Sequence, residues 1–214
     1  MGNFGFKTTI YDILGYMVPG CVALVIGFII ASCNPLTITM TQLIKQIQAM
    51  NIYQFISILI AAYILGHLIS GFSAIIIENL ILNGLKPFSR RLHLKSIMST
   101  TLYAKLIEKF KIEFNCQPED KDIKAIACSV EENHEAGYAT ALIFLSFYGM
   151  GRNLSFVFFI AFLFEIIRFI FITHIYPGFS LVYLLGCISA FIVYFRFKKH
   201  YLSHIVHTYL VTKQ

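Results

Sequence analysis

Asp12, His67, Glu78, Arg152, Glu165 and Arg168 fall inside long apolar runs or at their ends. An ionisable group at membrane depth is expensive, so each is a functional candidate by position alone. The chemistry open to them is ion pairing between helices, proton relay or charge compensation. Glu165 and Arg168 stand three apart and share a helical face, so a local pair is expected. Asp12, Glu78 and Arg152 fall at one depth in the topology derived below, which puts Arg152 within reach of either carboxylate as a clasp between helices. His67 closes Tyr63-Ile64-Leu65-Gly66-His67, and Gly71 follows. Small residues let helices approach closely, and the imidazole is expected to hydrogen-bond across that approach. A relay needs several titratable groups in series, and His67 stands alone at its depth.

A second set is basic and lies outside the apolar runs: Arg90, Arg91, Lys95, Arg196, Lys198, Lys199, His200, His204 and His207. At helical spacing the three histidines share a face that suits a solvated or lipid-facing stripe. Metal binding would want carboxylate or thiolate ligands nearby, and none follows Cys187, so no metal is expected. Cys21, Cys33, Cys116, Cys128 and Cys187 show no zinc or redox spacing and read as structural. No Gly-rich phosphate loop, nucleophile elbow, HExxH or paired catalytic carboxylates occur, so neither a catalytic residue nor a cofactor is expected.

The elements that must position these groups are membrane spans. Residues 13–44 and 46–77 carry no charge, and Glu165 and Arg168 are the only charges between Arg152 and Arg196. With 57% hydrophobic and 13% charged residues and mean hydropathy +0.73, the chain leaves the soluble globular class. A helix of roughly 20 apolar residues crosses a bilayer core. Four spans are placed at Ile13 to Ala31, Phe55 to Leu80, Leu154 to Thr173 and Leu181 to Tyr194. The first apolar segment is too long for a typical signal-peptide core. Pro19-Gly20 interrupts the first span, where neighbouring helices are expected to relieve a kink.

Nine of the 17 Lys and Arg residues lie between Lys86 and Lys124. By the positive-inside rule, both termini and the basic segment face the cytoplasm of a multi-pass inner-membrane protein. That segment predicts two amphipathic helices. One carries Leu102, Tyr103, Leu106, Ile107 and Phe110 behind N-cap candidates at Ser99 to Thr101. The other follows Pro118-Glu119-Asp120 and carries Ile123, Ile126, Ala127 and Val130. Their stripes must dock together or on extensions of the spans. Such extensions are expected at His134 to Tyr148 and at Arg196 to Val211, where Leu202, Ile205, Val206 and Tyr209 form a stripe.

The expected fold is therefore all-α: a four-span polytopic membrane protein with a small cytoplasmic helical cap. Its parts are a membrane hairpin at 1–82, a basic segment at 83–137, a second hairpin with extension at 138–197 and an amphipathic tail at 198–214.

Tyr11-Asp12-Ile13-Leu14-Gly15-Tyr16-Met17-Val18-Pro19-Gly20, Tyr63-Ile64-Leu65-Gly66-His67 and Gly151-Arg152-Asn153 resemble a pattern in small four-span bacterial membrane proteins, some of them carried by anti-phage defence loci. Size and an Ile-, Phe-, Lys- and Asn-rich composition resemble the four-span accessory protein of type VI-B CRISPR loci, and the membrane component of the Kiwa defence system has a similar outline. The resemblance covers the membrane half of the chain. It implies a non-enzymatic module that assembles as a homo-oligomer in the lipid bilayer and modulates or executes an antiviral response. Two further readings stay open. One is an anchor or sensor holding a cytoplasmic defence or nucleic-acid-handling partner, with direct nucleic-acid contact undecided. The other is an intramembrane enzyme or small-ion transporter.

Overall fold

A computed structural model describes residues 10–31, 45, 48–82, 84, 92–171 and 177–211. Among them there are helices and no strand. Four helices are long and apolar enough to cross a membrane. The first, α1 (Ile10–Ile30), begins with a π-helical turn at Ile13–Met17. The second, α2, is α-helical over Ile52–Ser73 and π-helical over Ala74–Leu82. It starts three residues before the expected Phe55 because Asn51 and Gln54 form a reciprocal capping box. Three shorter helices follow: α3 (Leu94–Ile97), α4 (Thr100–Phe114) and α5 (Ile123–Asn133). Then come α6 (Glu135–Phe171) and α7 (Pro177–Val211).

Local chemistry sets the cap boundaries. Ser99 caps α4 by accepting the Leu102 N–H, and Asn115 ends that helix in the left-handed region at φ 54°. The acidic start of α5 is a 3-10 turn at Asp120–Asp122, in which Asp122 accepts the Glu119 N–H. His134 separates α5 from α6, and its Nδ1 accepts the Gly137 N–H at 2.9 Å.

At 1.5 Å per residue, the 37 residues of α6 measure about 55 Å, against a hydrocarbon core of about 30 Å. The extra length of α6 and α7 is the floor of the cap. Leu106 and Phe110 of α4 and Ile126 and Val130 of α5 form one core with Ala141, Ile205, Val206 and Tyr209 of the long helices. Both expected stripes are therefore docked on span extensions. Lys109 Nζ donates to the Tyr209 carbonyl at 2.6 Å, and the Tyr209 hydroxyl donates to Glu113, locking α4 onto the end of α7. A separate core lies between the spans around Ile26, Ile69, Ile77, Phe156, Val157 and Tyr183. The helices run unbroken through residues 138 and 198, so cap and membrane parts share their two longest elements.

Two glycines set the α1–α2 contact. A Cβ on Gly20 would coincide with the Ala62 carbonyl, and one on Gly66 with the Tyr16 carbonyl. The expectation for Gly66 is met, whereas Gly71 is exposed and its Cβ position has nothing within 4 Å. Among the described residues, Gly71 therefore plays no part in packing within one protomer. Gly20→Leu and Gly66→Leu should each abolish monodisperse protein in detergent. The obstacle is backbone, so the cost should exceed the about 1–3 kcal/mol of ordinary overpacking. Gly27→Leu, whose Cβ position is also open, should purify like the parent. Normal size-exclusion profiles for the Gly20 and Gly66 variants would contradict this packing.

Candidate functional site

Ser70, Ser73, Glu78, Arg152, Asn153 and Lys198 converge where the four membrane helices meet the cap. The convergence begins with a missing donor. Pro19 has no N–H to return to the carbonyl of Gly15, four residues earlier, and its ring crowds that carbonyl. The π turn at Ile13–Met17 widens the helix just there. Asn153, 1% exposed on α6, supplies the donor: its Nδ2 reaches Gly15 O at 2.7 Å. The amide oxygen of Asn153 accepts from Ser73 Oγ of α2 at 2.5 Å. One buried amide thus joins α1, α2 and α6.

Arg152 extends the junction along α2. Its Nη1 donates to Glu78 Oε1 at 3.1 Å, its Nη2 to Ser70 Oγ at 2.9 Å and its Nε to Ser73 Oγ at 3.1 Å. The expected clasp is to Glu78. Asp12, half-buried in the first turn of α1, receives none of the guanidinium's hydrogen bonds, which among the described residues go to α2 and to Asn153. Tyr148, one turn before Arg152, donates its hydroxyl to the same Glu78 oxygen.

Lys198 corrects the expected basic surface. It turns inward from α7, with Nζ 3.9 Å from Glu78 Oε1 and donating to the Tyr194 hydroxyl at 3.2 Å. The ammonium also lies over the rings of Tyr148 and Tyr194, at 5.5 and 5.4 Å. Aromatic faces and one carboxylate make a site for a cation that water no longer surrounds. One carboxylate thus faces two cationic side chains, Arg152 and Lys198.

The other candidates are placed as follows. Glu165 and Arg168 pair locally at 3.5 Å, far along α6 from the junction. Among the described residues, His67 makes no hydrogen bond across a helix contact. It is exposed on α2, its ring stacked on Tyr16 at 3.9 Å and edge-on to Tyr63 at 4.6 Å, because the close contact is made by Gly66 on the adjoining face. The tail histidines do not form one stripe. His204 donates to the Gly137 carbonyl at 3.1 Å, His200 stacks on Phe144, and His207 is exposed. Lys95, Arg196 and Lys199 are exposed, as expected of a basic surface, and Arg90 and Arg91 lie outside the described residues. Cys116 and Cys128 are exposed free thiols rather than packed ones, while Cys21 and Cys187 are half-buried. Among the described residues no cluster of three or more His, Cys, Asp or Glu side chains is placed to hold a metal.

A cleft of about 740 Å³ opens on the cap between α3 and the start of α5. His93 Nδ1 pairs there with Asp120, whose other oxygen accepts the Leu94 N–H at 2.8 Å. The pair ties α3 to the α5 entrance, and no sequence spacing announces it.

The three segments that carry the resemblance, far apart in the chain, meet at this junction. Gly15, Tyr16 and Gly20 contact Gly66, His67 and Asn153. What the segments share is a way of packing three spans. Comparison with protein-family models, curated proteins and solved structures finds no match.

Removing Glu78 should do more harm than removing Arg152. Arg152→Ala leaves Glu78 with Lys198 and Tyr148, whereas Glu78→Ala leaves two cations facing each other. Breaking a buried ion pair costs about 3–5 kcal/mol, and less at an interface. Folded yield and detergent melting should fall in the order parent, Arg152→Ala, Glu78→Ala, with partial recovery in Glu78→Gln/Lys198→Met. The reverse order, or no recovery in the double variant, would count against Glu78 as the shared anion.

Proposed function

We propose that this chain is a non-enzymatic membrane module of a prokaryotic antiviral defence system. It sits in the inner membrane with both termini and the cap in the cytoplasm. It works as a homo-oligomeric accessory or effector that modulates the response or perturbs the membrane. The observation that carries this reading is the continuity of α6 and α7 from spans into cap, with α4 and α5 packed on their ends. A contact made on the cap is thereby a load on two spans and, through Glu78, Arg152 and Asn153, on the other two. The defence context rests on the resemblance of the junction segments.

A second reading is favoured by the cap surface. Ile112 is 68% and Phe114 40% exposed on α4, beside the basic residues Lys105 and Lys111. An apolar patch rimmed by charges of both signs, Glu108 and Glu113 beside the lysines, suits a protein partner, so the chain would anchor a cytoplasmic defence protein at the membrane.

Orientation is tested by reporter fusions at Lys86, Lys121 and Gln214, all expected to report cytoplasm because nine basic residues oppose export. A periplasmic signal at Lys121 would overturn it. The effector and anchor readings separate on overexpression with a voltage-sensitive dye. The effector depolarises cells, and Glu78→Ala abolishes the effect at matched membrane levels. Unchanged potential, together with stoichiometric co-purification of a soluble protein that Ile112→Asp releases, would leave the anchor.

A further inference from the structure

The outward face of α2 carries a polar ring where lipid should be. Ala62, Gly66, Ile69 and Ser73 are buried against α1 and α6, which turns Tyr63, His67 and Gly71 outward at i, i+4 and i+8. His67 lies about 22 Å of helix from Ile52 and about 16 Å before Glu78 at 1.5 Å per residue, well inside the hydrocarbon. Its ring stacks on Tyr16 and meets the edge of Tyr63, but none of the described hydrogen bonds reaches its nitrogens. Hydrocarbon offers these nitrogens no partner, and the imidazole is too short to reach the headgroups. Beside it the Gly71 backbone is bare, with nothing within 4 Å of its Cβ position. Apolar Ile64, Leu68, Phe72 and Ile75 flank the stripe, all exposed.

We propose that this face is the contact between two copies of the chain, packed α2 against α2 about a two-fold axis along the membrane normal through His67 and Gly71. The occupant of the face must present a donor and an acceptor at the depth of His67. Acyl chains present neither. A second copy presents both, because the membrane holds each copy in the same orientation and symmetry then sets His67 opposite His67. A neutral imidazole has one donor and one acceptor nitrogen, so one ring can donate to the other across the axis, a single hydrogen bond that can run in either direction. At Gly71 the backbones can approach without displacing a side chain, as small residues allow in membrane helix pairs. This inference deepens the homo-oligomer part of the proposed function and rests on it. It adds the face, the symmetry and the pairing group.

The test is disulfide cross-linking in native membranes, with Cys21, Cys33, Cys116, Cys128 and Cys187 replaced by Ser. Single cysteines are then placed by Gly71→Cys and, as a control on the lipid side of α7, by Ile192→Cys, a position 60% exposed. Copper-phenanthroline should yield dimer at position 71 and little at 192, because a disulfide needs Cβ atoms about 3.8 Å apart. In lipid discs, Gly71→Leu should shift the mass toward monomer while the protomer melts like the parent, since its side chain meets nothing in the protomer. His67→Leu should weaken association by about three- to twentyfold, the span of interhelical hydrogen bonds in membranes. Dimer mass with cross-linking at 192 and none at 71 would overturn this face and leave the homo-oligomer standing. Monomer mass for the parent across several detergents and discs would remove both. A co-purifying lipid lost in His67→Leu, with no cross-link at 71, would assign the face to lipid and overturn the proposal.

Discussion

A proline without an N–H, placed one turn after Gly15 inside hydrocarbon, is the constraint from which the membrane half follows. In water the freed carbonyl would hydrate. In lipid it must find a donor within the protein, because an unsatisfied backbone group there costs several kcal/mol. Asn153 is that donor, and an amide can serve only if α6 lies against α1 at this height. Its oxygen then needs a donor of its own, which Ser73 supplies from α2. Gly20 and Gly66 answer the same demand from the other side, because only bare backbone lets α1 and α2 come close enough for α6 to touch both. A buried amide satisfied at both ends is more than a tolerated polar group. It specifies one register among the many that apolar helices could adopt.

The charges beside it do a different job. Buried ion pairs seldom add much net stability, because desolvation offsets most of the attraction. The Glu78 cluster sits at the cap end of the spans, where the desolvation is partial, and it joins α2 to both α6 and α7. Tyr148 and Tyr194 give the two cations aromatic faces and the carboxylate a hydroxyl. Asn153 therefore aligns the apolar parts of the spans, and Glu78 ties the same helices together where they leave the membrane.

The cap was legible in the sequence and the span interfaces were not, for one physical reason. Around α4 and α5 the solvent is water, so the residues that pack are apolar and those that do not are polar. Leu106, Phe110, Ile126 and Val130 accordingly announce their own burial. Around α2 the solvent is hydrocarbon, and both faces are apolar. Ile69 inside and Leu68 outside cannot be told apart by type, so periodicity finds the span and not its orientation. Polar residues restore some information: Glu78 with Arg152, and Glu165 with Arg168, were readable as pairs. Lys198 was not, since a lysine beyond the end of a span reads as solvated and only the distance to Glu78 reveals its direction. Asn153 stood in plain view beside Arg152, and the signal that would have found it was Pro19: a proline within a span implies an orphaned carbonyl four residues earlier and a donor elsewhere. The same ambiguity hides the direction of Gly71. Both glycines in the Gly66–Gly71 stretch are small, but a five-residue step carries the second round the helix and out of the α1 contact.

Rigid continuity gives these interactions a common consequence. With α4 locked on α7 through Lys109, Tyr209 and Glu113, a displacement of the cap cannot be absorbed in a flexible linker, because helix runs from Glu135 to Phe171 and from Pro177 to Val211 without a break. The motion must pass into the spans or be resisted by them. The groups that would have to yield are the polar ones at the junction, where two π-helical segments already depart from the regular ladder: Ile13–Met17 carries the Gly15 carbonyl, and Ala74–Leu82 carries Glu78. Two junction contacts of the N-terminal hairpin, Gly15 with Asn153 and Glu78 with Arg152, are therefore made by its least regular backbone, while Ser70 and Ser73 bond the same two α6 residues from the regular part of α2. A tilt of α6 would strain the Asn153 and Arg152 contacts together with the apolar packing of Ile26 and Ile69 on Phe156, Val157 and Ala161, so the hairpin resists it along the length of the spans.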